Sequence, residues 1–165
     1  MPHKAIPLLV ALFAAACLRG QEAPLNSQVY AWDQSPTVDS TSGPVRRLCR
    51  GSGADLELLE VTATTLAAGQ SAAGEASDGC ERILIVKSGR LEVALAAQSR
   101  TLGTGSVVMV MPGDRCRLAA TKEEPVTYFQ LRYKSRRPVE LARGQKTGGS
   151  ALIEWGDLKY TATDV

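Results

Sequence analysis

Between residues 55 and 133, short apolar runs alternate with turn-forming sequences, and this feature limits most strongly what the chain can fold into. The runs have the length and β-branched content of strands, and no segment keeps a helical spacing of apolar residues. They cover residues 56–66, 83–86, 91–95, 107–111 and 126–131. The turn sequences between them include Ser88-Gly89, Gly103-Thr104-Gly105 and Pro112-Gly113-Asp114. We predict an all-β sandwich or barrel. The residues expected to face its interior or the packed sheet are Ile83, Ile85, Val107, Met109 and Phe129.

The composition indicates one domain without a nucleic-acid partner. A chain of 165 residues with 44% hydrophobic content suits a single buried core. The 19 basic and 17 acidic residues nearly balance, and neither sign forms a long run, so neither nucleic-acid binding nor a charged membrane surface is favoured. We predict that the small basic cluster of Arg46, Arg47 and Arg50 lies in a solvated loop.

Residues 1–17 are typical of a signal peptide. His3 and Lys4 precede an apolar run over residues 5–16, which is well short of the roughly 20 residues of a membrane-spanning helix, so we expect no transmembrane span. Cys17 follows three alanines and resembles the lipidated cysteine of a bacterial lipoprotein. Ala14 stands where such sites usually carry Leu or Val, and ordinary cleavage nearby is an equal alternative. In both cases we expect an exported protein, periplasmic or lipid-anchored at the cell envelope, where disulfides persist.

The regions around the strand-rich segment differ from it in composition. Residues 24–44 are rich in Ser, Thr, Pro, Gln and Asp, which bury little surface, so we predict an extended lead-in with one strand near residues 28–32. The barrel itself is predicted over residues 45–133. Residues 134–149 are basic and glycine-rich and are expected to form a flexible linker.

The glycine spacing resembles that of the cupin superfamily, whose fold is a double-stranded β-helix, or jelly-roll barrel. The first cupin motif is Gly, five residues, His-x-His, three or four residues, Glu, six residues, Gly, and Gly69 and Gly89 stand at its ends. The second is Gly, five residues, Pro-x-Gly, two residues, His, three residues, Asn, and Gly105 and Gly113 keep their places. The run ERILIVKSGRLEVAL resembles the hairpin of the first motif. The resemblance implies a cupin barrel.

The resemblance also shows which residues replace the first motif's metal ligands. With the spacing that satisfies both end glycines, Glu75 and Ser77 stand at the histidine places and Arg82 at the glutamate place. A shift of one residue brings in Ala76, Asp78 or Glu81 instead. No shift recovers a histidine.

The second motif departs from the family pattern as well. Cys116 stands at its histidine place, Met111 at its proline place and Ala120 at its asparagine place. The one histidine of the chain is His3, within the predicted signal peptide, so the mature protein lacks the imidazole ligands that this fold uses for Mn, Fe, Ni or Zn. We expect no metal and no other cofactor.

Two functions are compatible with such a barrel. One is a non-catalytic module that binds an unknown small molecule or a partner. The alternative is a metal-dependent cupin enzyme of the dioxygenase, isomerase or aminohydrolase type with an atypical site. We favour the first, because a Ser or Cys nucleophile usually needs a neighbouring base, most often the missing histidine. The candidate pocket residues are Glu75, Ser77, Asp78, Glu81, Arg82, Met111 and Cys116.

Cys80 and Cys116 lie in the two motifs that converge in a cupin barrel, and they are the candidate pair for a disulfide. Three separate thiols are the alternative. The bond would close a loop of 35 intervening residues, worth on the order of 3–4 kcal/mol in the chain-entropy model. Cys49 would then stay free or displace one of the two.

The C-terminal segment echoes the lead-in. SQVYAWDQSPTVDST and SALIEWGDLKYTATD share an initial Ser, a tryptophan at the same offset and a Thr-rich tail. Each half of a two-cupin protein opens with such a strand, so we predict that residues 150–165 mark the start of a second cupin unit, with a frayed tail as the alternative. A strand over residues 151–160 would add to an edge of its own barrel or pair with a second copy in a homodimer. Its predicted apolar face is Leu152, Trp155 and Leu158.

Overall fold

The regular secondary structure of the described chain is almost entirely β-strand. A computed structural model describes residues 22–72 and 79–159. Its strands are β1 Thr37–Ser40, β2 Gly43–Gly51, β3 Leu56–Leu66, β4 Glu81–Ser88, β5 Leu91–Leu95, β6 Gln98–Leu102, β7 Val107–Val110, β8 Cys116–Ala120, β9 Val126–Ser135 and β10 Ala151–Ile153. A short helix, α1 at Leu141–Lys146, and a 3-10 turn at Trp155–Asp157 complete the described elements. The predicted all-β fold is confirmed.

The strands form two antiparallel sheets. Seven strands lie in the order β1-β2-β3-β9-β4-β7-β10, and three lie in the order β6-β5-β8. One apolar cluster joins the sheets, with Leu84 and Val108 from the larger sheet and Leu91 and Val93 from the smaller. The sheets therefore pack face to face around a common core. Consecutive strands β4 and β5 belong to different sheets, so the run that resembled a hairpin is a crossover between the sheets.

Alternation along each strand decides which side chains are buried. On β5, Leu91, Val93 and Leu95 are at most 3% exposed, whereas Glu92 and Ala94 between them are exposed. Successive side chains of a strand point to opposite faces, so one face of β5 packs on the core and the other meets solvent. Each buried Leu or Val side chain contributes about 1.5–3 kcal/mol relative to an exposed one.

The residues predicted to face the interior lie on the opposite faces of their strands. The residues buried in their place are Leu84, Val86, Val108, Val110 and Tyr128. The prediction was wrong by one residue, because these strands carry apolar side chains on both faces and an apolar run does not show which face is inside. The five residues of the prediction, which point outward, are Ile83, Ile85, Val107, Met109 and Phe129.

The barrel begins within the predicted lead-in. The described residues 28–32 form no strand, and β1 lies later, where it pairs with β2. Ahead of β1, a parallel bridge joins Pro24 to Ser52, and Trp32 packs edge-on against Phe129 with ring centroids 6.2 Å apart. Arg46 and Lys87 lie over the same indole ring, at 4.9 and 5.1 Å from its centroid. The lead-in therefore covers part of the outer face of the larger sheet.

The C-terminal segment is part of the same barrel. The predicted linker contains α1, and β10 covers only the first three residues of the predicted strand 151–160. β10 pairs antiparallel with β7 and so adds to the edge of its own sheet. Leu152 enters the core, whereas Trp155 is 64% exposed and Leu158 is 46% exposed. The predicted common apolar face is wrong because the strand ends before Trp155; the second cupin unit stays a prediction.

The predicted signal peptide and Cys17 lie outside the described residues. Within residues 22–72 and 79–159, no helix is long and apolar enough to cross a bilayer. Export and lipidation stay predictions.

Candidate functional site

A cavity of about 300 Å³ lies between the two sheets. The larger sheet lines it with inward side chains of β2, β3, β9 and β4, and the smaller sheet lines it with Cys116 and Leu118 of β8. The hairpin between β1 and β2 contributes Ser40 and Ser42. Pockets for small ligands measure about 300–1,000 Å³, so this cavity suits a small molecule.

The cavity exists because the inward residues of β3 and β9 are polar. Inward positions on β5 and β7 carry Leu and Val and fill the core, whereas β3 and β9 place Thr62 directly opposite Gln130. Thr64 pairs with Tyr128 one step further along the same strands. Threonine is short and glutamine needs polar partners, so this side of the barrel is not filled as densely as the core.

Glu60 is the centre of a charge network on the cavity wall. Its Oε1 atom is 3.2 Å from Nε of Arg47 and 3.1 Å from Nη1 of Arg50, and its Oε2 atom is 3.5 Å from Nη2 of Arg132. The Glu60 side chain is only 10% exposed. Arg50 also donates to Glu22, and this hydrogen bond lowers the pKa of the Glu22 carboxyl. The network holds three guanidinium groups around one buried carboxylate.

Arg82 extends this wall by one strand. It pairs directly with Arg132 across β4 and β9, and both side chains line the cavity. Arg82 is 9% exposed, and its Nη2 donates to the carbonyl oxygen of Asp114 at 3.4 Å. Among the described residues that line the cavity, the charged ones are Arg47, Glu60, Arg82 and Arg132. This described part of the wall therefore carries a net positive charge.

The sequence matches no family model and no curated protein. Solved structures of similar shape include a cupin 2 conserved barrel domain protein from Salinispora arenicola, at 18% identity and a TM-score of 0.54 over 67% of this chain and 91% of that chain. An RmlC-like cupin from Shewanella frigidimarina has 15% identity and a TM-score of 0.55 over 71% and 96%. The chain has the cupin fold. The structure of KdgF from a Halomonas species is similar as well, at 14% identity and a TM-score of 0.53 over 67% of this chain and 97% of that chain. Identities this low establish the fold alone.

Turns explain the glycine spacing of the cupin motifs. Gly89 has a φ of +79°, and a Cβ atom there would overlap the carbonyl oxygen of Pro125. Gly105 has a φ of +86°, and its Cβ would lie 2.8 Å from the ring of Trp155. Residues with side chains rarely adopt this conformation, and here there is no room for one. The motif glycines were therefore recognisable because each meets a local backbone requirement.

The described residues at the metal-ligand places of the cupin motifs do not form a metal site. Arg82, at the glutamate place, carries a fixed positive charge and offers only donors. Cys116, at the second-motif histidine place, lines the same cavity. Within the described parts of the chain, no group of three or more His, Cys, Asp or Glu side chains is arranged to hold a metal. Three further candidates lie outside the described residues: Glu75, Ser77 and Asp78.

Two predicted pocket residues line a different cavity. Glu81 and Met111 border a surface cavity of about 340 Å³ beside α1. Glu81 lies there because successive side chains of a strand point to opposite faces, so Glu81 and Arg82 lie on opposite faces of β4. The hydroxyl of Tyr133 donates a hydrogen bond to Glu81. Burial and this hydrogen bond raise the pKa of Tyr133 to about 12. Of the predicted set, the cupin cavity thus contains Arg82 and Cys116 but not Glu81 or Met111.

Of the charged residues on the described cavity wall, only Arg82 was predicted from the sequence as a pocket residue. Arg47 and Arg50 lie on β2 and not in the predicted loop. Glu60 and Arg132 lie on β3 and β9 at inward positions. A signal was available, because Glu60 lies directly between Leu59 and Val61 in an apolar stretch of the strand, and a charge there is unusual in a buried strand.

The described cysteines differ in surroundings. Cys80 is buried just ahead of β4, and Cys116 is half-buried at the start of β8, so a bond between them would link the two sheets. This disulfide stays a prediction. Cys49 is half-buried on β2, where burial raises the pKa of its thiol.

Proposed function

We propose that this protein is an exported cupin that binds a small molecule between its sheets and does not catalyse a reaction on it. The observation that supports this function is that Arg82 and Cys116 line one cavity at places where the cupin motifs carry metal ligands. The cavity offers guanidinium donors beside apolar surface from Leu84 and Leu118. Pockets of this composition suit the recognition of small ligands.

The cavity is poorly equipped for acid–base chemistry. Glu60 is the one carboxylate among the described residues that line it, and both of its oxygen atoms are engaged in ion pairs with arginine side chains. A general base must lie within hydrogen-bond reach of the proton that it abstracts, and the oxygen atoms of this carboxylate already contact protein guanidinium groups. These contacts support binding without catalysis.

A metal analysis and a fragment screen test the proposed function together. The mature protein, purified without a metal-affinity tag, should contain no stoichiometric transition metal by elemental analysis. In a titration of ¹⁵N-labelled protein with charged and neutral fragments, at least one fragment should shift the amide signals of Leu84, Leu118 and Gln130. One bound metal per chain would overturn the metal-free site, and a diverse library without any cavity binder would overturn the ligand-binding function.

A cavity-filling variant provides the control for the screen. Thr62→Trp places a large side chain in the cavity and should abolish fragment binding, because Thr62 lines the wall. Thr101→Trp changes an exposed position on β6 by the same volume and should leave binding unchanged. Equal binding by the two variants would show that the ligand binds outside the cavity.

The proposal of export is supported by the pattern of residues 1–17. Fractionation of the producing cells should place the protein in the periplasm or the membrane fraction, and mass spectrometry of the mature N-terminus should show cleavage near Cys17. An intact N-terminus in the cytosolic fraction would overturn export. A lipid-modified Cys17 would assign the membrane anchor.

A further inference from the structure

Two rows of directly paired apolar side chains cross the outer face of the larger sheet. Ile83 lies at the centre of the first row and Ile85 at the centre of the second. Neighbouring strands lie about 4.8 Å apart, so the five strands that carry the rows make a face roughly 19 Å wide. In strand order, the first row is Val61, Leu131, Ile83 and Met109, and the second is Phe129, Ile85, Val107 and Ile153.

The outer face of the smaller sheet is different. Its exposed side chains are mostly polar, with Glu92 opposite Thr101 and with Arg117 on the neighbouring strand. An antiparallel sheet that meets solvent on one face usually carries polar residues there. On the larger sheet, Trp32 packs on Phe129 at one corner, and Met109 is 39% exposed. A contiguous apolar face on a soluble protein marks an interaction surface.

Charges of opposite sign flank the apolar pair on β4. Alternate residues of a strand share a face, so Glu81, Ile83, Ile85 and Lys87 follow one another on the outer side. Glu81 accepts a hydrogen bond from the neutral hydroxyl of Tyr133, and Lys87 lies 5.1 Å from the centroid of the Trp32 ring. Within residues 22–72 and 79–159, neither charge has an ion-pair partner.

This order of side chains is complementary to itself. If the same face of a second copy packs on it with the two β4 strands antiparallel, Ile83 lies over Ile85 of the other copy and Glu81 over its Lys87. The two-fold relation forms each contact twice. Parallel β4 strands would instead place Glu81 over Glu81 and Lys87 over Lys87, and like charges that face each other in an interface are unfavourable.

The surroundings of Glu81 leave room for a lysine from another chain. Glu81 borders the surface cavity of about 340 Å³ beside α1. Two basic residues that also line this cavity pair with other carboxylates, Lys134 with Glu57 and Arg143 with Glu140. Packed sheets lie about 10 Å apart, which long Glu and Lys side chains can bridge.

We propose that this outer face binds the same face of a second copy, so that the protein is a homodimer with antiparallel β4 strands. The cavity between the sheets lies on the other side of the larger sheet, so this inference does not depend on the ligand-binding function. It also differs from the pairing of residues 150–165 with a second copy that the sequence suggested, because faces and not strand edges meet.

Sedimentation equilibrium of the mature chain tests the assembly. The chain carries Cys17→Ser to prevent lipidation, and a reductant excludes disulfides through Cys49. The average number of chains per particle should rise from one to two with concentration. Met109→Glu puts a charge into the apolar face and should raise the dissociation constant at least roughly 100-fold. Val38→Glu, at an exposed position on β1, is the control and should dimerise as the wild type does.

A charge swap tests the antiparallel arrangement. Glu81→Lys and Lys87→Glu each bring like charges together and should each raise the dissociation constant by roughly 10–100-fold. The double variant restores two opposite pairs and should recover most of the affinity. Glu92→Lys, on the outer face of the smaller sheet, is the control. Circular dichroism and urea unfolding confirm that each variant is folded.

A carbodiimide cross-link reports on the contact directly. This reagent joins a carboxylate to an amine that touches it, and Glu81 and Lys87 of one chain lie roughly 20 Å apart along β4. In a mixture of ¹⁴N- and ¹⁵N-labelled protein, mass spectrometry should therefore find Glu81 of one isotope joined to Lys87 of the other.

The outcomes distinguish this face from other surfaces. A protein that stays a single chain at every concentration overturns the dimer. A dimer that is insensitive to Met109→Glu, or that is lost only when residues 150–165 are deleted, overturns the face as the interface. A dimer that Met109→Glu dissociates but that the double charge variant does not restore overturns the antiparallel arrangement of β4.

Discussion

The indole ring of Trp155 packs directly on Gly105, so the turn between β6 and β7 is covered by the segment that follows β10. A Cβ atom at position 105 would lie 2.8 Å from Cε3 of the ring, and the φ of Gly105 is +86°. The backbone nitrogen of Trp155 also donates to Oγ of the fully buried Ser106. A motif glycine and the C-terminal segment thus depend on one another.

Gly105→Ala should destabilise the protein by about 1–3 kcal/mol, because the alanine adopts a left-handed conformation and displaces the ring. The measurement is urea unfolding followed by circular dichroism. Gly103→Ala is the matched control, since a Cβ atom there meets nothing within 4 Å; it should change stability by no more than about 0.5 kcal/mol. Equal losses in the two variants would contradict the contact with Trp155.

Glu60→Gln should destabilise the barrel by about 1–3 kcal/mol, because it leaves three guanidinium groups without their shared carboxylate. Glu57→Gln is the control, since Glu57 pairs with Lys134 where both side chains are about half exposed. Exposed pairs contribute about 0–1 kcal/mol, so this variant should remain close to the wild type. The measurement is urea unfolding of both variants at low and high salt. If the Glu60→Gln protein is as stable as the Glu57→Gln protein, the ion pairs of Glu60 do not stabilise the barrel.

The fold could be predicted from the sequence because turn requirements are local. Gly89 and Gly105 occupy left-handed positions where a side chain does not fit, and their spacing carried the cupin resemblance. Which face of each strand is buried could not be predicted in the same way. On β4, Ile83 and Leu84 are both apolar, and only the packing of the opposite sheet decides that Leu84 is the buried one.

The candidate site was predictable only where it coincides with the motifs. Arg82 and Cys116 were found because they replace motif ligands at known spacing. Glu60 and Arg132 were missed because the pairing of β3 with β9 brings them together from distant parts of the chain. No local sequence pattern indicates that pairing, so the charge of the cavity wall could be identified only from the structure.

Tyr133 should make stability fall at high pH. Its pKa is raised from 10.0 to about 12 in the folded protein, mainly by burial and then by the hydrogen bond to Glu81. The neutral phenol is therefore favoured by folding, so this contribution is complete below pH 10 and is lost as the pH rises towards 12. Unfolding free energies measured across this window should decline, and Tyr133→Phe should decline less steeply. Tyr30→Phe keeps Tyr133 and should retain the wild-type slope; identical slopes in both variants would contradict this role.

The segment after α1 should be required for the stability of the barrel. Leu152 is 8% exposed within the core, and Oγ of Ser150 donates to Asp114 while it accepts from the backbone nitrogen of Met111. Leu152→Ala should cost about 2–3 kcal/mol, because it leaves a cavity beside Val108. Leu158→Ala, at a side chain 46% exposed, is the control and should cost no more than about 0.5 kcal/mol.

Deletion of residues 150–165 should lower the melting temperature further than Leu152→Ala does, because it also removes the pairing of β10 with β7 and the contact of Trp155 with Gly105. Light scattering of the deleted and complete chains tests at the same time whether a homodimer depends on this segment. A loss of stability with an unchanged number of chains per particle would show that the segment stabilises its own barrel. If neither the stability nor the number of chains per particle changes, the β10 pairing contributes nothing to the fold. The segment is then a frayed tail, which is the alternative predicted from the sequence.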